Sequence, residues 1–373
     1  MNGRLHFFFY AVFPAVQILL FINPLMATTD KLRIPSVYTE IQQQVKQVAP
    51  EEKMATCDIP VPYHGTMVFR SRYEGSDSAR DQINPKAEKE YTAKTRPFTE
   101  LQSFMARETD EIIKHGIDRR RMDCIFNALI SWKTDSDILL PTRNHTGKAV
   151  RKWTLATISA NLLKINRLAE QYDRDKFNII KNWIRKLGEQ VIRDYSGITQ
   201  EKSNNHIYWA AWSVMVSAVL LNREEMFAWA AKIYSMAMNQ IDEHGFLPNE
   251  LRRKSRARLY HNYALAPLVG IAAFLKANNY DPLSTNKGAL KRLVNRVVAT
   301  IDNPQIFTLA TGVRQAPYNM HIKGRLSWLA IYLDLDDSLS PEKYRELTGI
   351  CLESLPLKSR RLGGDIGFLY LGL

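Results

Sequence analysis

Three short runs of this sequence carry side chains suited to gripping an acidic molecule and moving a proton on it. The run Asn204-Asn205-His206-Ile207-Tyr208-Trp209 puts two amides, an imidazole and aromatic rings at the start of an apolar stretch that continues past Met215. Further on, Leu247-Pro248-Asn249-Glu250-Leu251-Arg252-Arg253 is followed by Arg256-Ala257-Arg258-Leu259-Tyr260-His261-Asn262-Tyr263, which sets guanidinium groups beside phenols. A guanidinium can hold a carboxylate by two parallel hydrogen bonds, and an imidazole or a phenol can carry the proton. The third run, Asn144-His145-Thr146-Gly147-Lys148, stands just before Arg151-Lys152-Trp153. Free N–H groups at a helix start attract anions, although Thr146 would serve equally well as an ordinary cap. A polar loop from Phe69 to Arg80, with Gly75 and Ser76 at its centre, has the composition of a lid and equally that of a plain exposed loop.

Metal chemistry has no support in the spacing. Neither Cys-x-x-Cys nor His-Glu-x-x-His occurs, and His206, His244 and His261 are separated by whole elements. The formal charge is +13 at pH 7, which favours polyanionic partners. Residues 1–27 explain which polyanions. Arg4 precedes a nearly continuous apolar stretch from Phe7 to Ile22, followed by Pro24 and a small residue at Ala27. This is the pattern of a secretory signal peptide, leaving a mature chain 28–373 that works in the periplasm without a stable membrane anchor. Export argues against nucleic acid and leaves acidic polysaccharide, lipopolysaccharide or a membrane surface. In an oxidising compartment three cysteines cannot all pair within one chain. A Cys57–Cys124 bridge is expected to pin the N-terminal arm to a helix, with Cys351 left odd.

Helical periodicity runs through nearly the whole chain. Apolar residues recur at three and four spacing over Phe98–Ile113, Cys124–Trp132, Val150–Leu168, Phe177–Ile192, Ile207–Leu221, Met226–Ile241, Leu259–Leu275 and Leu290–Val298. The breaks between them are short, so neighbouring helices pack antiparallel, as a bundle, a solenoid or a closed helical toroid. No repeat of fixed period is visible, which disfavours the solenoid. The segment Ile34–Thr66 lacks clear periodicity and is expected to wrap the helices. Trp212, Trp229 and Met215 read as core.

The three runs, taken in order, resemble the mannuronate-specific alginate lyases of polysaccharide lyase family 5. The resemblance rests on Asn-Asn-His-x-Tyr-Trp-Ala-Ala-Trp-Ser-Val-Met, on Asp242 to Leu251, and on Tyr260-His261-Asn262-Tyr263-Ala264-Leu265. Ser71 to Arg80 looks like the family's lid, while His145 to Lys148, Arg151-Lys152-Trp153 and Leu362-Gly363-Gly364-Asp365 match further segments. Cys57 and Cys124 sit where members of the family place a disulfide. The resemblance implies a single all-α domain, an incomplete (α/α) toroid of antiparallel helix pairs, with neither metal nor organic cofactor. Its partners would be alginate or polymannuronate and the machinery that exports the polymer.

The implied reaction is β-elimination between β-D-mannuronate units, leaving an unsaturated uronate at the new non-reducing end. Removal of the C5 proton requires that the adjacent carboxylate be neutralised, because charge develops there in the enolate-like intermediate. By resemblance, Asn205, His206 and Arg253 surround the carboxylate. Tyr260 takes the C5 proton and returns one to the leaving O4, both lying on the same side of the mannuronate ring. A free phenol has a pKa of about 10, so Tyr260 needs cations such as Arg253 nearby, and His206 is the rival base. Ser71, Arg72, Tyr73, His145, Thr146 and Trp209 match sugar-binding positions. Arg72 stands where familiar members carry Lys, which keeps the charge and changes the hydrogen-bond geometry. Two other classes remain open. A toroidal glycoside hydrolase would need two positioned carboxylates, with Glu224, Glu225, Asp242, Glu243 and Glu250 available. A non-catalytic polyuronate-binding or export protein would bind without cleaving.

Overall fold

Two helices are buried almost all the way round, and they form the centre of the structure. In the computed structural model the described residues are 31–45, 58–74, 79–338, 340, 342, 345–346 and 349–373. The expected signal peptide, Cys57, Gly75 and Ser76 lie outside them. The elements run α1 (Ser36–Gln44), α2 (Pro85–Lys94), α3 (Arg96–His115), α4 (Arg119–Asp135), α5 (His145–Lys164), α6 (Asn166–Tyr172) and α7 (Arg174–Tyr195). They continue with α8 (Asn205–Leu221), α9 (Glu224–Gln240), α10 (Pro248–Leu251), α11 (Ala257–Ala277), α12 (Thr285–Val298), α13 (Gln305–Thr311) and α14 (Trp328–Leu335). A two-residue hairpin, β1 (Lys358–Ser359) and β2 (Gly364–Asp365), precedes α15 (Ile366–Leu371).

Helices α5 and α8 bury nearly every side chain, as expected of helices covered on all sides. An inner row forms in which α5 packs on α3 and α8, α8 on α11, and α11 on α14. Outside it α4, α7, α9 and α12 form a second row, with α7 covering α5 and α8, and α9 covering α8. These outer helices are amphipathic: α7 buries Phe177, Ile180, Ile184, Leu187 and Val191 and presents charged residues on its other face. This two-layer helical ring is the (α/α) toroid expected from the sequence; the eight periodic segments are helical, except that Val150–Leu168 is split at Ile165 between α5 and α6 and Met226–Ile241 runs one residue past α9.

The arm departs from expectation in one respect, because Ser36–Gln44 is helical. Tyr38, Ile41 and Gln42 are buried at the spacing of one helix face, a pattern too short to rise above its surroundings in the sequence. No described helix is long and apolar enough to span a membrane.

Candidate active site

Three inner helices begin at the same place. His145 and Thr146 start α5, Asn205 and His206 start α8, and Tyr260 lies in the first turn of α11. Their N-termini converge on a cavity of about 350 Å³, which Ser71, Arg72 and Tyr73 line from a different part of the chain. Helix N-termini carry partial positive charge, and Arg72, Arg80, Arg256 and Arg361 add full charges to the same wall. Among the described residues no Asp or Glu lines the cavity. Two further cavities adjoin it. One shares His145 and His206 and includes Arg143, Lys148 and Lys202, and the other shares Tyr263 and Arg361 and includes Lys323 and Arg325.

Local sequence explains how the starts are held. The cap of α5 is Asn144, whose side chain accepts from Gly147 N at 2.7 Å, so Thr146 is free to line the cavity. Asn144 also exchanges hydrogen bonds with the Phe69 backbone in both directions. Gly147 is required there, since a Cβ would stand 1.9 Å from the Met67 carbonyl oxygen. The chain leading to Ser71 is thereby clamped onto the α5 N-terminus. Asn204 caps α8 by accepting from His206 N at 2.9 Å.

His206 is oriented from both sides. Lys152 Nζ lies 3.1 Å from His206 Nδ1 and donates to the His206 carbonyl at 2.7 Å. Lys152 is fully buried, and burial, followed by the charge of Arg361, lowers its pKa well below the ordinary lysine value. As ammonium it is the donor to Nδ1, and a neutral His206 then carries its hydrogen on Nε2. That Nε2 faces His145 Nε2 at 3.2 Å. Burial and then the Lys152 charge depress His206, and the same causes push His145 down to about 4. With Lys152 as ammonium, the Nδ1 lone pair of His206 is engaged and its Nε2–H points to His145, which also lines the cavity.

Tyr260 lies under Arg253, whose guanidinium carbon is 3.9 Å from the ring centroid. Its hydroxyl is 2.5 Å from that of Tyr73. Burial pushes the Tyr260 phenol above its usual range, the Tyr73 phenol adds to this, and Arg253 and Arg256 pull the other way. The cations that the sequence reading asked for are in place, and burial is the larger influence. Arg253 Nη2 donates to the Arg80 carbonyl at 3.0 Å, while its buried Nε has no partner among the described residues. Tyr263 is distinct from Tyr260, because its hydroxyl accepts from Arg361 Nη1 at 2.9 Å.

Asn205 meets a buried carboxylate that the sequence did not assign to it: Asn205 N donates to Glu250 Oε1 at 2.6 Å. Arg361 also escaped the sequence reading. The Trp212 indole bonds its carbonyl at 2.7 Å, and its guanidinium covers the Trp153 ring at 4.1 Å. Its place beside Leu362-Gly363-Gly364-Asp365 was the available signal. Trp209 differs from expectation. It is buried, donates to the Tyr263 carbonyl at 3.1 Å and packs on the Tyr263 ring, so it lines the adjoining cavity instead of the central one. The basic run through Arg151 and Lys152 is not a solvated face, for both are fully buried, and Arg151 is paired with Asp194.

The carboxylates that a hydrolase would use are elsewhere. Glu224 and Glu225 are exposed at the start of α9, Asp242 caps a turn by accepting from Phe246 N at 2.8 Å, and Glu243 is exposed. Cys124 is buried in α4 and Cys351 is an exposed free thiol. Among the described residues no cluster of His, Cys, Asp and Glu could hold a metal.

A helical toroid whose central cavity is lined by arginines and helix N-termini is suited to hold acidic chains. The profile of the alginate lyase family matches residues 68–307, and the chain belongs to that family. An alginate lyase of Pseudomonas syringae pv. syringae is 40% identical over 333 residues, spanning 86% of each chain. One from Pseudomonas aeruginosa is 38% identical over 315 residues, spanning 83% of each. Among solved structures, alginate lyase A1-III of Sphingomonas species A1 aligns with a TM-score of 0.70 at 21% identity, covering 91% of this chain and 97% of that one. A variant of A1-III complexed with a tetrasaccharide aligns with a TM-score of 0.73 at 20% identity, covering 92% and 97%. At that identity the structures speak for the fold.

Proposed function

We propose that this protein is an alginate lyase of polysaccharide lyase family 5 that cleaves polymannuronate by β-elimination. The observation that carries the reading is the placing of Tyr260 and Tyr73 under Arg253, beside the Asn205 and His206 donors, at a cavity that no carboxylate lines among the described residues. The substrate carboxylate takes the His206 Nε2–H, the Asn205 amide and the Arg253 guanidinium, where fixed donors stabilise charge developing in the enolate-like state. Tyr260 as phenolate removes the C5 proton; as phenol it then protonates the O4 that leaves as the C4–O4 bond breaks. Electrons from the C5–H bond form the C4–C5 double bond, so atoms and charge balance without an oxidant or a metal. Arg253 and Arg256 lower the cost of the phenolate, while burial and the Tyr73 phenol raise it, and activity climbs with pH as its population grows.

The flanking cavities suit a chain that extends to both sides of the cleaved bond, with Ser71, Arg72, His145 and Thr146 holding the central sugar. The protein is exported by residues 1–27 and acts in the periplasm, where Cys57 and Cys124 form a bridge. There it clears polymer that strays from the export machinery. The test is ultraviolet absorbance of the conjugated uronate while the mature protein acts on polymannuronate and, separately, on polyguluronate. A rise on polymannuronate alone is expected. Equal rises sink the mannuronate preference, and a flat trace with measurable binding sinks the lyase in favour of a binding protein.

A further inference from the structure

Glu250 is a fully buried carboxylate that makes no ion pair among the described residues. Isolating an acid in this way is costly unless hydrogen bonds replace its water. All its side-chain hydrogen bonds come from one residue. Asn205 N donates to Oε1 at 2.6 Å, and Asn205 Nδ2 is 3.1 Å from both Oε1 and Oε2. The short helix α10 that carries Glu250 is stitched to the segment before α8, since Asn249 Nδ2 donates to the carbonyls of Glu201 and Ser203 at 2.8 and 2.7 Å. The carboxylate and the start of α8 are therefore held in one register.

We infer that Glu250 is a positioning residue that fixes which way the Asn205 carboxamide faces, leaving its second N–H and its oxygen for the substrate. This rests on the lyase reading above. Turning the amide over would set Oδ1 against the two oxygens of the ionised carboxylate, acceptor against acceptor, so only one orientation is compatible with Glu250 once it has lost its proton. Asn205 lines the central cavity and Glu250 does not; Glu250 acts through Asn205. A glutamine in its place offers one acceptor and opposes an amide nitrogen to Asn205 Nδ2, so the orientation is no longer enforced. Because that change removes a negative charge near Arg253, it does not weaken attraction for an acidic polymer.

The experiment is a double-mutant cycle on polymannuronate cleavage with Glu250→Gln, Asn205→Ala and the pair. Glu250→Gln is expected to lower kcat roughly 10- to 100-fold without raising KM, and to lower it no further when Asn205 is already Ala. Glu250→Asp, which keeps the charge and shortens the reach, shows the same dependence on Asn205 and serves if the Gln variant does not fold. Multiplicative losses, or an unchanged kcat in both Glu250 variants, overturn the inference. A second readout separates this from failure of the lyase reading: the Asn205 side-chain amide resonance in protein labelled at asparagine. If the parent cleaves nothing, a displaced resonance in the Glu250 variant still supports the contact, and an unmoved one overturns it.

Discussion

Replacing Glu250 by Gln should change the way stability depends on pH, by an amount the structure sets. Burial lifts the Glu250 carboxyl to about 7 from an ordinary 4.5, against the opposing pull of the Asn205 donors and Arg253. Between those values the folded protein holds a proton that the unfolded chain has released. This contribution is complete below the unfolded value and is lost as pH rises through the folded one. At 1.36 kcal/mol per pH unit, the gap between 4.5 and about 7 corresponds to about 3 kcal/mol. His261 has the opposite sign. It is fully buried, its Nε2 accepts from Leu247 N at 2.9 Å, its Nδ1 faces the Ala257 carbonyl at 2.8 Å, and burial pushes it down to about 4 from 6.5. The unfolded chain therefore takes up a proton there that the folded protein refuses, which costs about 3 kcal/mol as pH falls to about 4. In the parent the two effects largely offset one another between about pH 4.5 and 6.5. The Gln variant keeps only the His261 effect, so it loses stability on acidification more steeply than the parent. Urea unfolding of both proteins across this pH range measures the difference, and parallel profiles would refute the reasoning.

Lys152→Met keeps the length of a buried side chain and removes the donors to His206; kcat should fall about 10-fold or more, while thermal stability holds or improves because a buried cation is costly. The ratio of variant to parent rate should recover as pH falls and His206 gains a proton, which a pH–rate profile will show. Gly364→Ala would place a Cβ 2.5 Å from Asp110 Oδ1 and 2.8 Å from Lys164 Nζ at a φ of +94°. It should lower stability by about 2–4 kcal/mol in chemical denaturation, with the central cavity's residues untouched. Tyr73→Phe removes the hydroxyl 2.5 Å from Tyr260 that helps to raise its pKa, so the pH at which activity climbs should move downward in a kcat profile.

The architecture was legible because long helices write their burial as a three- and four-residue repeat. Helices α1 and α2 were missed: one presents three buried residues and the other buries only Ala87, too little to set a period. The reacting set could be named because its parts lie in runs at helix starts, where polar residues against an apolar background stand out. Its supports could not. Lys152 stands in a basic run that reads as solvated, and Glu250 reads as one acid among several near turns; their meaning comes from complete burial and from partners distant in sequence. The sequence left both Tyr260 and His206 open as the base, because the partners of the imidazole, Lys152 at Nδ1 and His145 at Nε2, are distant in sequence.

The most direct test of the central claim compares parent and Tyr260→Phe on polymannuronate, following absorbance of the unsaturated uronate, with binding of a mannuronate oligosaccharide measured in both. The account predicts that the variant binds the oligosaccharide and gives no rise in absorbance above background, while the parent gives a rise that steepens toward alkaline pH. A variant that still releases unsaturated product at a substantial fraction of the parent rate would contradict the account and return the proton transfer to another group in the cavity.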